Sequence, residues 1–65
     1  MGRMKYRDMV EIIEQDGWRL ARTRGSHRHY THPVKSGIVT VAAHGMGADI
    51  PRKILHAILK QAGLK

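Results

Sequence analysis

A very short connection in the middle of the chain limits how the segments beside it can be arranged. Residues 24–26, Arg-Gly-Ser, are a turn signal, and the glycine allows the backbone to reverse direction tightly. Trp18 to Thr23 before this turn and Ser26 to His32 after it both have the composition of strands. Because so short a connection joins antiparallel neighbours, we predict that the two segments form a hairpin.

Alternation along these strands predicts which side chains share a face. In the first strand it separates Trp18, Leu20 and Arg22 from Arg19, Ala21 and Thr23. In the second strand, His27 and His29 should lie on one face and Tyr30 on the other, packed against a helix.

Helical periodicity precedes the hairpin. From Lys5 to Gln15 the apolar residues recur at the spacing of an amphipathic helix, which is predicted to stop at Asp16-Gly17. Ile38 to Ala43, after a loop with proline and glycine, is β-branched and apolar, as is typical of a third strand.

A second helix is predicted at the end of the chain, with Asp49 as its N-cap and Pro51 in its first turn. Gly63 should end it. Its predicted apolar face consists of Ile54, Leu55, Ile58, Leu59 and Ala62. The fold class is therefore α+β, in the order α-β-β-β-α, with both helices packed on one face of a three-stranded antiparallel sheet.

The 65 residues are enough for one small domain, predicted over 4–65, after an N-terminal extension of residues 1–3 that is either vector-derived or natural. No cysteine is present, and the apolar runs are far shorter than the roughly 20 residues that span a bilayer. We therefore expect a cytoplasmic protein without membrane contact.

The charge favours a polyanionic partner. Twelve Lys and Arg residues against five Asp and Glu residues give a net charge of +7, and after Gly17 the only acidic residue is Asp49. RNA is the favoured partner. An acidic protein partner, or a basic protein that is merely soluble, would also fit the charge. A DNA-binding repressor fits less well, because a sheet separates the two helices.

The hairpin also carries the groups that ribonuclease chemistry needs. RNA supplies its own nucleophile, the 2′-hydroxyl, so the protein has to move protons and stabilise charge on phosphorus. His27 is the candidate catalytic residue. The candidate RNA-binding residues are Arg22, Arg24, Ser26, Arg28 and Lys35. His29 with His32 or His44 forms only a weak metal pattern, so neither a metal nor another cofactor is expected.

The sequence resembles the HicA family of mRNA interferase toxins from Met4 to Leu64. The similar motifs are Asp16-Gly17-Trp18, Arg24-Gly25-Ser26-His27 with Tyr30, Val39 to His44, and Ile58 to Leu64. At Ala42 the chain has alanine where the family commonly has the proline of a Pro-X-His motif.

The resemblance implies a fold like the double-stranded RNA-binding domain, and cleavage of mRNA with His27 as the catalytic histidine. It also implies a HicB-type antitoxin as the inhibitory partner. The predicted function is thus a toxin endoribonuclease, with a non-catalytic RNA-binding module of the same fold as the alternative. No oligomeric state follows from these residues.

Overall fold

The computed structural model describes residues 3–42 and 45–65. In chain order the elements are α1 (Tyr6–Gln15), β1 (Arg19–Arg24), β2 (His27–Thr31), β3 (Val39–Ala42) and α2 (Arg52–Gln61). The strands form one antiparallel sheet in the order β1-β2-β3. The predicted α-β-β-β-α fold, with a three-stranded sheet and two helices, is confirmed.

Helix α1 starts where its first amide groups and that of its N-cap, Lys5, find hydrogen-bond acceptors. The Lys5 amide donates to the Asp8 carboxylate at 2.9 Å. The Tyr6 and Arg7 amides donate to the carbonyls of Ala48 and Met46, each at 3.0 Å. The connection between β3 and α2 therefore satisfies donors that the first turn of a helix leaves free.

The core lies between the two helices and one face of the sheet. Tyr30, Val39 and Val41 are buried on the sheet side. They join one apolar cluster with the buried residues Met9, Val10, Ile13, Trp18, Ile50, Ile58 and Ala62. Tyr30 thus packs under the helices, as its alternation from His27 predicts.

An irregularity in β1 changes which of its side chains share a face. Leu20 pairs with Tyr30 and Arg22 pairs with His29, so Ala21 has no partner and the strand bulges there. Directly paired residues face the same side of a sheet, so Leu20, which is 47% exposed, lies on the same side as Tyr30, and Arg22 lies on the opposite side. The prediction that Leu20 and Arg22 share a face was wrong, because simple alternation cannot account for the extra residue.

Helix α2 begins later than predicted. Its N-cap is Pro51, which has extended backbone and no side chain that can cap, and the prediction of Asp49 as the N-cap was wrong. Asp49 instead pairs with Lys5 in an isolated bridge, and its carboxylate lies 3.5 Å from the ammonium of Lys5. Ile54 is 42% exposed, so the buried face of α2 is narrower than predicted. Gly63 follows the C-cap with φ 73°, as expected of a helix stop.

The third strand was predicted to include Ala43, which lies outside the described residues, as does His44. In the part of the chain that the structure describes, no helix is long and apolar enough to cross a membrane.

Candidate functional site

The turn between β1 and β2 presents His27 at the start of a strand. Arg24 pairs with His27, so only Gly25 and Ser26 lie between the two strands. Gly25 has φ 59° whereas Ser26 does not have a positive φ, the pattern of a type II′ turn with glycine in its first position. The backbone position of His27 is therefore fixed by a two-residue hairpin turn.

The strand pairing defines an exposed surface opposite the helices, which we call the open face. His27 pairs with Ala42 and His29 pairs with Thr40, whereas Tyr30 and Val39 form the intervening pair on the core side. The prediction that His27 and His29 share a face is confirmed. The open face consists of Arg19, Arg22, Arg24, His27, His29, Thr31, Thr40 and Ala42.

Each histidine on the open face has an arginine directly across the hairpin. Arg24 is paired with His27, and Arg22 is paired with His29. Both arginines and His27 are exposed. Cross-strand partners have Cβ atoms about 4.5–5.5 Å apart, so one phosphate group can contact a guanidinium and an imidazole together. The bulge at Ala21 is what allows Arg22 to lie here while Leu20 pairs with Tyr30 on the other side of the sheet.

Arg28 is not brought to the open face. It pairs with Thr23 and Val41, which places it on the same side as Tyr30. Burial raises the pKa of the Tyr30 hydroxyl above 10.0, and the neighbouring Arg28 guanidinium partly offsets this effect. Arg28 therefore lies beside a buried phenol, on the face opposite His27.

Lys35 is also separated from His27. It lies in the connection between β2 and β3, at the end of β2 that is remote from the Gly25-Ser26 turn. Its ammonium lies 2.5 Å from the Asp16 carboxylate and donates to the carbonyl of Ala62 at 3.0 Å. Trp18 Nε1 donates to the same carbonyl at 3.2 Å. Lys35 thus joins the ends of both helices.

His32 is a structural residue that the sequence did not identify. With the proton on Nε2, its ring donates to the carbonyl of Asp16 at 2.7 Å. Nδ1 then accepts the amides of Val34 and Lys35, both at 3.0 Å. The ring also meets Trp18 edge-on, with centroids 5.2 Å apart. His32 therefore fixes the loop after β2 against the end of α1.

Replacing Gly17 with alanine should destabilise the protein by about 1–3 kcal/mol. Gly17 has φ 110°, which side chains rarely adopt, and an added Cβ would lie 2.7 Å from Nε2 of His32. Gly37→Ala is the matched control, because Gly37 has φ 88° with open space around it. Urea unfolding of both variants should show the larger loss for Gly17→Ala. Equal losses would contradict the contact with His32.

Acid should weaken the link between Lys35 and Asp16. The hydrogen bond from Lys35 lowers the pKa of the Asp16 carboxyl below its ordinary value of 3.8. Because the folded pKa is the lower one, this stabilisation is present above about pH 4 and is lost as the pH falls through the folded pKa. Thermal unfolding should therefore show wild type more stable than Asp16→Asn at pH 7, with the difference shrinking below about pH 4.

The matched control is Glu11→Gln, which removes an exposed carboxylate from α1. The difference in stability between Glu11→Gln and wild type should change less over the same range of acid pH. A difference between wild type and Asp16→Asn that is independent of pH would contradict the role given to the ion pair.

Two further features concern ligands. Among residues 3–42 and 45–65, no group of three or more His, Asp or Glu side chains converges as a metal site would require. A groove of about 700 Å³ runs between the N-terminal segment and the start of α2. It is lined by Arg3, Met4, Asp49, Ile50, Pro51, Arg52, Leu55 and His56, and so lies apart from the predicted site residues.

Of the predicted site residues, the strand pairing places His27, Arg22 and Arg24 on the open face, and it also places there Arg19 and Thr40, which the sequence did not single out. Arg19 pairs with Thr31 and lies on the open face. Simple alternation had separated Arg19 from Arg22, and only the bulge brings them to one side. Thr40 could be recognised only from its pairing with His29, because nothing in the sequence of β3 distinguishes it.

The model of a family described as the HicA toxin of bacterial toxin–antitoxin matches residues 6–64, nearly the whole chain. A search of curated proteins finds no match.

Proposed function

Because the chain belongs to the HicA toxin family, and is thus a toxin of a toxin–antitoxin pair, we propose that it is an endoribonuclease that cleaves mRNA on its open face. The observation that carries this proposal is the pairing of His27 with Arg24 beside a tight glycine turn. An exposed imidazole next to a guanidinium combines a proton carrier with a phosphate ligand on a rigid strand.

The proposed reaction uses the nucleophile of the substrate itself. His27 takes the proton of the 2′-hydroxyl, whose oxygen attacks the adjacent phosphorus and displaces the 5′-oxygen of the next nucleotide, which takes up a proton and leaves as a hydroxyl. Negative charge builds up on the phosphoryl oxygens in the transition state. Arg24, directly across from His27, is placed to stabilise that charge. The chemistry requires no metal ion, because these groups supply both the proton transfer and the positive charge.

RNA binding is assigned to the arginines of the open face together with the turn. Arg22 and Arg24 lie on consecutive pairs of the same face, and half-buried Ser26 is in the turn between the strands. We propose that these three residues hold the phosphates around the cleaved bond. Arg28 and Lys35 are not part of this proposal, because they face Tyr30 and Asp16 respectively.

Replacing Arg22 and Arg24 together with alanine should weaken RNA binding about 100-fold. Two charge-assisted hydrogen bonds contribute about 3 kcal/mol at the lower end of their usual range. The slope of log K against log salt should become about 1.4 less negative, because single-stranded contacts contribute about 0.7 per phosphate. Binding titrations of a catalytically inactive pair of chains, His27→Gln with and without the arginines, measure both quantities.

The charge-matched control is Arg52→Ala with Lys53→Ala, two exposed cations at the start of α2. It removes the same net charge from the helical side of the molecule. If this control weakens binding as much as the arginine pair, then general charge rather than the open face attracts RNA.

We further propose that the antitoxin is a HicB-type protein and that it inhibits by covering the open face. The family match implies an antitoxin partner. A cationic face that carries His27 and its arginines is the surface that an inhibitor has to block, and acidic side chains would complement it.

The test of the proposed function is cleavage of an RNA strand and of the DNA strand with the same sequence, in EDTA. RNA should be cut to leave a 2′,3′-cyclic phosphate and a 5′-hydroxyl, and the DNA should remain intact because it lacks the 2′-hydroxyl. Cleavage of both strands would overturn the mechanism. Binding of RNA without cleavage would overturn the enzyme and support the alternative, an RNA-binding module of this fold.

A further inference from the structure

A second histidine lies on the open face next to His27. His29 Nδ1 is 3.1 Å from the Thr40 hydroxyl on β3, and Arg22 pairs with His29 from β1. His29 therefore has the same kind of arginine neighbour as His27. Unlike His27, it is half-buried. The two histidines form parallel His–Arg pairs on adjacent open-face positions of one hairpin.

We propose that His29 is a catalytic residue that protonates the leaving 5′-oxygen while His27 removes the 2′-hydroxyl proton. This inference rests on the proposed ribonuclease function. One P–O bond forms to the 2′-oxygen and one breaks to the 5′-oxygen. The 2′ proton moves to His27 and a proton of His29 moves to the departing oxygen. Proton exchange with water restores both rings, so the step needs no other reactant.

The spacing of the two rings suits this division of roles. Strands rise about 3.3 Å per residue, so positions 27 and 29 are about 6.6 Å apart along one face. The attacking and leaving oxygens lie on opposite sides of the phosphorus in an in-line displacement. A base and an acid that flank one phosphate have to approach from opposite sides, each within about 2.6–3.2 Å of its oxygen. Two open-face positions of one strand meet that requirement.

The contact with Thr40 suits His29 to the role of the acid. The hydroxyl accepts a hydrogen bond from Nδ1–H of the charged ring, and it still accepts that bond after Nε2 has given up its proton, because the neutral ring then keeps its proton on Nδ1. In either state Nε2 is left for the substrate, so the ring keeps one orientation while its proton leaves and returns. Thr40 is thus a positioning residue for His29.

The experiment compares two substrates with the same sequence. One is an ordinary RNA whose cleaved bond has been mapped with the wild-type chain. The other carries sulfur in place of the bridging 5′-oxygen at that bond. A thiol ionises near pH 8.5, far more readily than an alcohol, so its departure needs little help from an acid. Single-turnover rates are measured for wild type, His27→Gln and His29→Gln, with circular dichroism as the check on folding.

We expect His29→Gln to cut the ordinary RNA about 10²–10⁴-fold more slowly than wild type and to recover most of that loss on the sulfur substrate. His27→Gln should be slow on both substrates. The role of His29 would be overturned if His29→Gln cleaved ordinary RNA at the wild-type rate, or if it cleaved both substrates equally slowly. The role of His29 would also be overturned if the sulfur substrate restored the cleavage rate of His27→Gln but not that of His29→Gln.

Two further comparisons separate chemistry from structure. Thr40→Val should slow the ordinary RNA more than the sulfur substrate, whereas Thr40→Ser should retain the wild-type rate. His56→Gln, an exposed histidine on α2, is the matched control for the His-to-Gln change and should leave both rates unchanged. If His27→Gln is inactive while His29→Gln matches wild type, the ribonuclease proposal stands and only the role of His29 fails. If wild type cuts neither substrate, both fail.

Discussion

Replacing His27 with glutamine is expected to lower the rate of RNA cleavage about 10²–10⁴-fold, the usual contribution of a general base. Glutamine keeps hydrogen-bonding capacity at the position but cannot take up a proton near neutral pH. Because His27 is exposed and pairs with Ala42 on the open face, its replacement removes nothing from the core. The variant should therefore fold normally and bind RNA nearly as well as wild type.

Three measurements check this prediction: the single-turnover cleavage rate, the RNA dissociation constant and the thermal unfolding midpoint. We expect a large loss in the cleavage rate, with little change in the dissociation constant or the unfolding midpoint. A variant that unfolds at lower temperature in proportion to its lost activity would contradict a catalytic role. Full cleavage activity in a folded variant would contradict the proposal that His27 is the catalytic base.

Replacing Trp18 with alanine is expected to remove a large part of the free energy of unfolding. Trp18 is 1% exposed and is the largest buried side chain, and its loss should cost about 3–5 kcal/mol. A chain of 65 residues has a total stability of about 3–10 kcal/mol at the usual value per residue. The substitution also removes the donor to the Ala62 carbonyl and the ring that packs against His32.

Trp18→Phe separates these contributions. Phenylalanine retains an aromatic ring for the core but lacks the Nε1 donor, while Lys35 still reaches the Ala62 carbonyl. We expect a folded protein that is less stable than wild type, with about 1 kcal/mol of the loss due to the hydrogen bond. Near-UV and far-UV circular dichroism with urea titration distinguish the variants. A cooperative unfolding transition in Trp18→Ala at wild-type urea concentrations would contradict the central role of this side chain.

The fold could be predicted because its signals are local. The apolar spacing of α1, the glycine turn at Gly25 and the β-branched residues of β3 each specify an element within a few positions. The antiparallel order follows from the short connection. The bulge at Ala21 could not be predicted, since it depends on how β1 is matched to β2 rather than on the residues of β1 alone.

The candidate site was predictable only in part for the same reason. His27, Arg24 and Gly25 are neighbours of one turn, so the sequence itself brings them together. Thr40 reaches His29 across a separation of 11 residues. His32 bonds to Asp16 across 16 residues, and Lys35 reaches Ala62 across 27 residues. In the sequence, a basic residue that binds such distant partners cannot be distinguished from one that is free to bind a phosphate.

The two faces of β2 lie in different environments. Tyr30 is buried in the core beneath the helices, whereas His27 and His29 lie on the open face. On the proposed function, this separation has a consequence for how such a toxin can change over time. A single codon change at His27 would yield a folded chain that no longer harms the cell yet still occupies its antitoxin. Such a decoy would release any active copy from inhibition. Loss of activity in one gene copy can therefore increase the toxicity of another.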